Sequence, residues 1–398
     1  MVKSIPRVVI KARRARPFFA RHPWVFVNSI ERVEGDPEPG GEVRVCSQEG
    51  QFIARGLFNP RSAIRVRLYR WLDEPIDDAF LIGLLTRALR LRSETLGLDG
   101  PGSAARLVFS EGDGISGLTV DRFDRYLSVQ FTSLALDRRR NLLVDWLATE
   151  TGASGVILRG EKGVPAQEGL KVEEGWIRGE PPGQPLLIRD GSLRFEVDLN
   201  AGQKTGFYLD QRENRRIVAG YARGRRVLDL CCYTGGFALH ALAGGATAAL
   251  GVDGSRTAIA LAQRNAQANN LADPARFEAA DVFETLESIR GEGEIFGLVI
   301  CDPPKFASHA KAVDDAVKGY LRLNRAAIHV LEPGGILVTC SCSGLIPRAD
   351  FAAILGRVAE LSGRSLQILE QRGQAADHPV SASCLETDYL KCVIARVV

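Results

Sequence analysis

From residue 188 onward, short apolar runs alternate with amphipathic ones, and this alternation constrains the fold more than any other feature of the chain. Strands are expected at 226–230, 248–252, 276–279, 298–301, 336–340, 366–370 and 391–397, with helical segments between the first six. Strands joined through helices run parallel, because each crossover returns the chain to the same end of the sheet. Residues 188–398 are therefore expected to form an α/β domain, a mostly parallel sheet with helices on both faces. A hairpin at 187–198, turning at Asp190-Gly191, opens it. The last strand follows its predecessor without a helix, which predicts an antiparallel edge.

Ligands of such sheets sit beyond the carboxyl ends of the strands. Here the first strand carries Asp229 and runs into Cys231-Cys232-Tyr233-Thr234-Gly235-Gly236, where two glycines permit a sharp turn and close backbone approach. The second strand ends at Asp253, followed by Ser255, and the third at Asp281. A carboxylate after the second strand suits a ribose diol, and one after the third suits an adenine amino group. Taken singly, Asp229 capping a turn or Asp253 capping a helix is the plainer reading; three acids at successive strand ends carry the weight. G-x-G-x-x-G is absent, so nothing is built for a pyrophosphate, which favours S-adenosyl-L-methionine over a dinucleotide and argues against an oxidoreductase.

The fourth strand ends in Asp302-Pro303-Pro304-Lys305-Phe306. The prolines stop the strand and hold a stiff, exposed backbone, on which carbonyls and one carboxylate can grip a flat heteroaromatic ring. The fifth strand runs into Cys340-Ser341-Cys342. Period-2 geometry puts both thiols on one face, with Cys342 farther toward the ligand end and Gly344 allowing a turn just beyond. Cys342 is thus the preferred nucleophile over Cys340, against the plainer reading that both are core thiols. An acid at one strand end and a thiol at another point to covalent chemistry on a pyrimidine.

Upstream, residues 1–72 read as a small β-rich module, with strands at 42–46, 51–57 and 63–69. They hold fourteen Lys/Arg and six Asp/Glu, about +8 in a chain whose net charge is +3. Arg13, Arg14 and Arg16 lie in a stretch of thirty residues without an acid, and Arg65 and Arg67 share a face of the third strand. Such density suits phosphate binding, with a solvated basic tail as the alternative. His22 and Trp24 read as core of this module rather than as base-stacking groups. Residues 73–187 read as a central α+β domain: a helix at 77–92, strands at 107–109, 118–121, 126–131 and 156–159, a second helix at 136–151, and a linker at 175–185.

None of the eight cysteines makes zinc-site spacing, so reduced thiols and no metal are expected. No apolar run approaches the ~20 residues that cross a bilayer, and residues 1–20 lack a signal-peptide core, so a cytoplasmic protein without a membrane partner is expected.

Several motifs together resemble the bacterial rRNA large subunit methyltransferase I family. They are His22-Pro23-Trp24-Val25-Phe26, the string from Gly202-Gln203-Lys204-Thr205-Gly206 to Asp210-Gln211-Arg212, Tyr233-Thr234-Gly235-Gly236-Phe237, Asp302–Phe306, Ser341-Cys342-Ser343-Gly344 and Asp377-His378-Pro379. The resemblance implies an N-terminal PUA-type β-barrel, a central domain and a C-terminal class I Rossmann-like methyltransferase. It further implies 5-methylcytosine formation in large-subunit (23S) rRNA, naked or in an assembling particle, and is compatible with a homodimer. Asp210, Gln211 and Arg212 would lie near the methionine end of adenosylmethionine, with Arg212 on its carboxylate. Tyr233–Gly236 would line methionine and ribose, Asp253 the ribose and Asp281 the adenine, while Cys342 matches the family nucleophile. Cys231-Cys232 and Cys340 depart from the family pattern and leave extra thiols near the site.

C5 of cytosine attacks a sulfonium methyl only after a thiolate has added to C6. Asp302 is the expected acid at N3. Lys305 is expected on phosphate and Phe306 on the base, with loop packing as the alternative for Phe306. Asp377-His378-Pro379 is expected as a loop over the cofactor sheet. Two other functions fit: N2-guanine methylation, to which Asp302-Pro303-Pro304 belongs as readily and which needs no cysteine, and a non-catalytic RNA-binding assembly factor.

Overall fold

The computed structural model describes residues 5–160, 164–171, 173–200, 206–307 and 310–398. The Gly202-Gln203-Lys204-Thr205 part of the glycine-rich string lies outside them. Two compact units result: Met1–Ile188 with Val197–Leu209 and Ala376–Thr387, and Arg189–Glu196 with Asp210–Ala375 and Asp388–Val398. Among the described residues no helix is long and apolar enough to cross a membrane.

The second unit is built on a seven-stranded sheet: β1 (Arg226–Leu230), β2 (Ala248–Asp253), β3 (Ala275–Ala279), β4 (Phe296–Cys301), β5 (Leu331–Ser341), β6 (Leu366–Arg372) and β7 (Lys391–Val397). Their order is 3-2-1-4-5-7-6, with β1 to β5 mutually parallel and β7 antiparallel to both neighbours. Strand order reverses at β1, and there a crevice opens beyond the carboxyl ends. The expected antiparallel strand is β7, but it is not the edge. It inserts between β5 and β6 with six of seven residues buried, while the largely exposed β6 is the edge. The apolar run Cys392-Val393-Ile394-Ala395 needs cover on both faces, which an edge would deny it.

Helices Gly236–Ala243, Arg256–Ala268, Val282–Glu292, Val313–His329 and Arg348–Ser362 cover the sheet. The core joins Leu228, Val299, Leu337 and Val393 of the strands to Tyr320, Leu323, Phe351 and Leu355 of the last two helices. Each such fully buried side chain contributes about 1.5–3 kcal/mol.

In the first unit, Trp24–Phe26, Ile64–Arg70, Phe52–Phe58, Glu42–Cys46, Arg7–Ile10 and Ile30–Glu34 form a mixed six-stranded sheet around Val8, Val43, Ile53, Val66 and Leu68. A five-stranded sheet follows, Gly175–Gly179, Gly155–Arg159, Tyr126–Phe131, Leu118–Phe123 and Ala104–Phe109 in spatial order. Helix Asp78–Arg90 packs on it, capped by Asp77, which accepts from the Phe80 N–H at 2.8 Å. The linker expected from residue 175 is a strand over its first five residues, pairing antiparallel with Gly155–Arg159. Its glycines mislead, because Trp176 and Ile177 supply the packing that holds it.

Candidate active site

The loop after β1 is wound tightly. Cys231, Tyr233 and Gly235 all have positive φ, at 61°, 49° and 81°. The two non-glycine residues cost roughly 1–2 kcal/mol apiece in this region. Asp253 offsets part of that cost: its Oδ2 accepts from the Tyr233 N–H at 2.9 Å, and its Oδ1 from the Ser255 N–H at 2.8 Å. Ser255, rather than Asp253, caps the following helix by accepting from the Ala258 N–H. Asp281 caps helix Val282–Glu292 through one oxygen, Oδ1, which accepts from the Phe283 and Glu284 N–H groups. Gly235 is required by space as well as by φ, since a Cβ would lie 2.8 Å from Cζ of Phe277.

Asp229 lies beneath this loop. Its Oδ2 accepts from the Ala238 N–H at 2.9 Å, while its buried Oδ1 has no partner among the described residues, nor has Oγ1 of Thr234. Burial pushes the Asp229 carboxyl up to about 8, with Asp302 and Asp253 adding to the rise against the Ala238 N–H. The Cys231 thiol is pushed up to about 12 by burial and then by Asp253, Asp302, Asp229 and Asp281. Four carboxylates thus converge on one loop. Such a lining disfavours anions and suits a ligand that carries a sulfonium and an ammonium, and in the ionised form of Asp229 the unpartnered Oδ1 can accept from such a cation.

Asp302, at the end of β4, is tied into a chain of amides. Gln211 Nε2 donates to its Oδ2 at 3.1 Å, Asn214 Nδ2 donates to Gln211 Oε1 at 2.6 Å, and Arg372 Nε donates to Asn214 Oδ1 at 3.0 Å. The neighbouring Asp210 accepts the Tyr389 hydroxyl at 2.5 Å. Arg212 is half-buried at the start of its helix. Beyond Asp302, Pro303 is buried, and Pro304 and Lys305 are exposed. The Phe306 ring rests on Tyr320, with centroids 4.8 Å apart.

The two thiols near the end of β5 differ sharply. Cys340 is fully buried opposite Cys392 of β7, and the hydrogen bond with that thiol, then burial, push its own thiol well above the usual range. Cys342 lies just past the strand and is half-buried. The buried Tyr320 senses both this thiol and the acid: burial first, then the charges of Cys342 and Asp302, raise its phenol against hydrogen bonds to Ser341 and Ser343. One residue of this neighbourhood is not legible in the motifs. Lys391, the first residue of β7, donates from Nζ to the Ser343 carbonyl at 2.6 Å and the Tyr389 carbonyl at 2.8 Å. Its only sequence signal is a lysine opening a strand that is otherwise apolar at its start.

Comparison with known proteins follows the same lines. Residues 169–382 match the S-adenosylmethionine-dependent methyltransferase family, and residues 8–71 match a PUA-like domain. The chain is 39% identical, over 98% of its own length and 99% of the relative's, to Ribosomal RNA large subunit methyltransferase I of Erwinia tasmaniensis. It is 40% identical to the protein of that name from Tolumonas auensis, over the same shares. The chain belongs to this family. It is a mixed α/β, adenosylmethionine-dependent methyltransferase with a PUA-like N-terminal domain. Among solved structures, a methyltransferase complexed with SAH superposes with a TM-score of 0.85 at 20% identity, covering 98% of this chain and 99% of that one. A methyltransferase from Streptococcus mutans gives 0.84 at 19% identity, again over 98% and 99%, so the fold is shared along the whole length.

On the PUA-like domain, Arg13, Arg14 and Arg16 are exposed, and the exposed rings of Phe19 and Phe26 belong to the same N-terminal segment. Arg65 is half-buried and donates to the Asn59 carbonyl. Arg67 corrects the sequence reading. It is buried, paired with Glu111 at 3.2 Å and Glu168 at 3.1 Å, and donates to the Ser116 hydroxyl. Strand alternation identifies a face but not what covers it, and here residues of the central segment do. Trp24 likewise donates its indole N–H to Glu111 at 2.8 Å.

Asp377-His378, expected as a loop over the cofactor sheet, belongs to the first unit and is held by its residues. Asp377 accepts from the Arg106 N–H and pairs with His378, whose ring tilts against Phe109, all within the first unit. His22, Cys384 and Glu386 gather their donor atoms within 4.8 Å. However, Nδ1 of His22 accepts from the Trp24 N–H, so in the neutral ring Nε2 carries the proton that faces Glu386 and is closed to a metal.

Proposed function

We propose that this methyltransferase acts on C5 of a cytosine in large-subunit ribosomal RNA through a covalent adduct with Cys342. The relatives' names supply the class of RNA. The observation that carries the chemistry is the contrast between the two thiols: Cys340 is sealed against Cys392, whereas Cys342 lies half-buried just past the strand end, where its charge and that of Asp302 both bear on Tyr320.

In this reading Asp229, Asp253, Ser255 and Tyr233–Gly236 hold the methionine and ribose portions of adenosylmethionine. Each oxygen of Asp253 holds one backbone N–H and keeps a lone pair for a ribose hydroxyl, while Asp281 offers its second oxygen to adenine. Asp210, Gln211 and Arg212 border the methionine end. Bound there, adenosylmethionine supplies the electrophilic methyl group. The Cys342 thiolate forms the Sγ–C6 bond, and opening of the C5–C6 double bond makes C5 nucleophilic. Asp302, oriented by Gln211, delivers a proton to N3. Loss of the C5 proton then re-forms the double bond as the Sγ–C6 bond breaks, returning the thiolate, and N3 gives its proton back to Asp302.

A base inside folded RNA must be unstacked to reach such a crevice, and the exposed Pro304-Lys305 edge is suited to receive it. Arg13, Arg14 and Arg16 anchor phosphates elsewhere on the RNA. The test is mass-spectrometric mapping of rRNA from cells with and without the protein. One 5-methylcytosine of the large subunit is expected to vanish; loss of an N2-methylguanine instead overturns the cytosine assignment.

A further inference from the structure

Lys391 has no part in the chemistry so far, yet it is a buried cation beside the thiol that does the work. Only 3% of its surface is exposed. It pairs across the β5–β7 ladder with Ser341, the residue before Cys342, and its ammonium grips the carbonyl of Ser343, the residue after it. A second N–H is committed to the Tyr389 carbonyl. An ammonium has three donors and no acceptor, so the third is not used by these two carbonyls. Both ends of the Cys342 peptide are therefore fixed relative to one positive charge.

We propose that Lys391 is the positioning residue of the nucleophile: its ammonium holds the Ser341-Cys342-Ser343 turn and stabilises the Cys342 thiolate. The inference rests on the reading of Cys342 as nucleophile. The charges around Lys391 are consistent with it. Burial brings the ammonium down to about 8, Cys342 and Asp388 raise it, and Arg348 and Lys305 lower it further. The Coulombic attraction between Lys391 and Cys342 is mutual, so the ammonium favours the thiolate by as much as the thiolate favours the ammonium. Because the ammonium itself titrates near 8, its hold on the thiolate is present below that pH and fades above it.

The test is the pH profile of Cys342 alkylation by iodoacetamide, followed by peptide mass spectrometry in the full-length protein. Peptide mapping separates Cys342 from six of the other thiols, and fragmentation of the peptide 326–348 separates it from Cys340. Lys391→Met is expected to slow alkylation at pH 7 about tenfold or more and to move the profile alkaline by at least about one unit, while Lys391→Arg restores most of the rate. A profile unchanged in a folded Lys391→Met protein overturns the proposal. Should that variant fail to fold, the reciprocal measurement decides: Cys342→Ala must make Lys391 more acidic, read as a lowered midpoint in an NMR pH titration of its side chain, and an unchanged midpoint overturns it. Covalent trapping of cytosine is a separate readout. Trapping with an unchanged alkylation profile removes the role of Lys391 and leaves the nucleophile; a shifted profile without trapping does the reverse.

Discussion

Asp229 makes a sharp prediction because its charge state and the cofactor's are coupled. Its carboxyl is fully buried and pushed up to about 8, chiefly by burial and then by Asp302 and Asp253. At pH 7 about one molecule in ten then carries the ionised form, and each pH unit changes that fraction about tenfold, or ~1.4 kcal/mol. A ligand whose ammonium or sulfonium meets the orphaned Oδ1 binds the ionised form, so binding at pH 7 must release about 0.9 proton. Apparent affinity for adenosylmethionine should rise about tenfold per unit from pH 5 to 7, bend near 8 and level off above it. Calorimetry in buffers of different ionisation enthalpy counts the protons directly. Asp229→Asn keeps an oxygen for the Ala238 N–H but cannot ionise, so the difference between the two proteins isolates this carboxyl from the ligand's own amino group. For the ligand-free fold the sign is opposite. A carboxyl raised above its unfolded value stabilises the native state below pH ~4, and that contribution is lost as pH rises through 8. Asp229→Asn should accordingly raise Tm at pH 8 and leave it unchanged at pH 4. Equal proton release by both proteins, or an affinity flat from pH 6 to 8, refutes the reasoning.

Four further outcomes are expected. Arg67→Met strands Glu111 and Glu168 in a buried site and should cost about 3–5 kcal/mol of stability in denaturant titration, with little direct effect on RNA contacts. Gly235→Ala meets both a positive φ and the Phe277 ring; a loss of about 1–3 kcal/mol and weakened cofactor binding should appear in thermal shift with and without adenosylmethionine. Replacing Arg13, Arg14 and Arg16 together by alanine should weaken RNA binding uniformly and flatten its dependence on log salt by about 0.7 per lost phosphate contact, read by filter binding over a salt series. Cys340→Ala should retain most methyl transfer, whereas Cys342→Ala should abolish it, in a tritium-transfer assay.

Most of the catalytic sheet is legible in the sequence. Strands 226–230 and 391–397 are found where apolar periodicity places them, and Asp229, Asp253, Asp281 and Asp302 all stand at strand ends, because a parallel sheet delivers every carboxyl end to one side. What periodicity lacks is information about neighbours across space. It cannot tell that β7 slips between β5 and β6, and therefore it cannot see Lys391 come alongside Cys342, forty-nine residues away in sequence. The same blindness explains Arg67, whose alternation is as clear as that of a solvent-facing arginine. Its partners, Glu111 and Glu168, lie in segments with no sequence mark of contact. The Gly175–Gly179 strand was hidden by glycines and prolines around Trp176, and the family motif Asp377-His378 turned out to brace the central sheet. Short motifs record which residues recur, not which role each holds.

A bond between Cys342 and a pyrimidine is the step on which the proposed reaction depends. Large-subunit rRNA fragments carrying 5-fluorocytosine, incubated with the full-length protein and adenosylmethionine, should yield a denaturation-resistant adduct, because fluorine at C5 blocks the elimination that frees the enzyme. After nuclease and trypsin digestion, fragmentation of the peptide 326–348 in the mass spectrometer should place the modified nucleotide on Cys342 rather than Cys340, and Cys342→Ala should give none. Methyl transfer by Cys342→Ala at the normal rate, or an adduct on Cys340 or Cys231 instead, would contradict it.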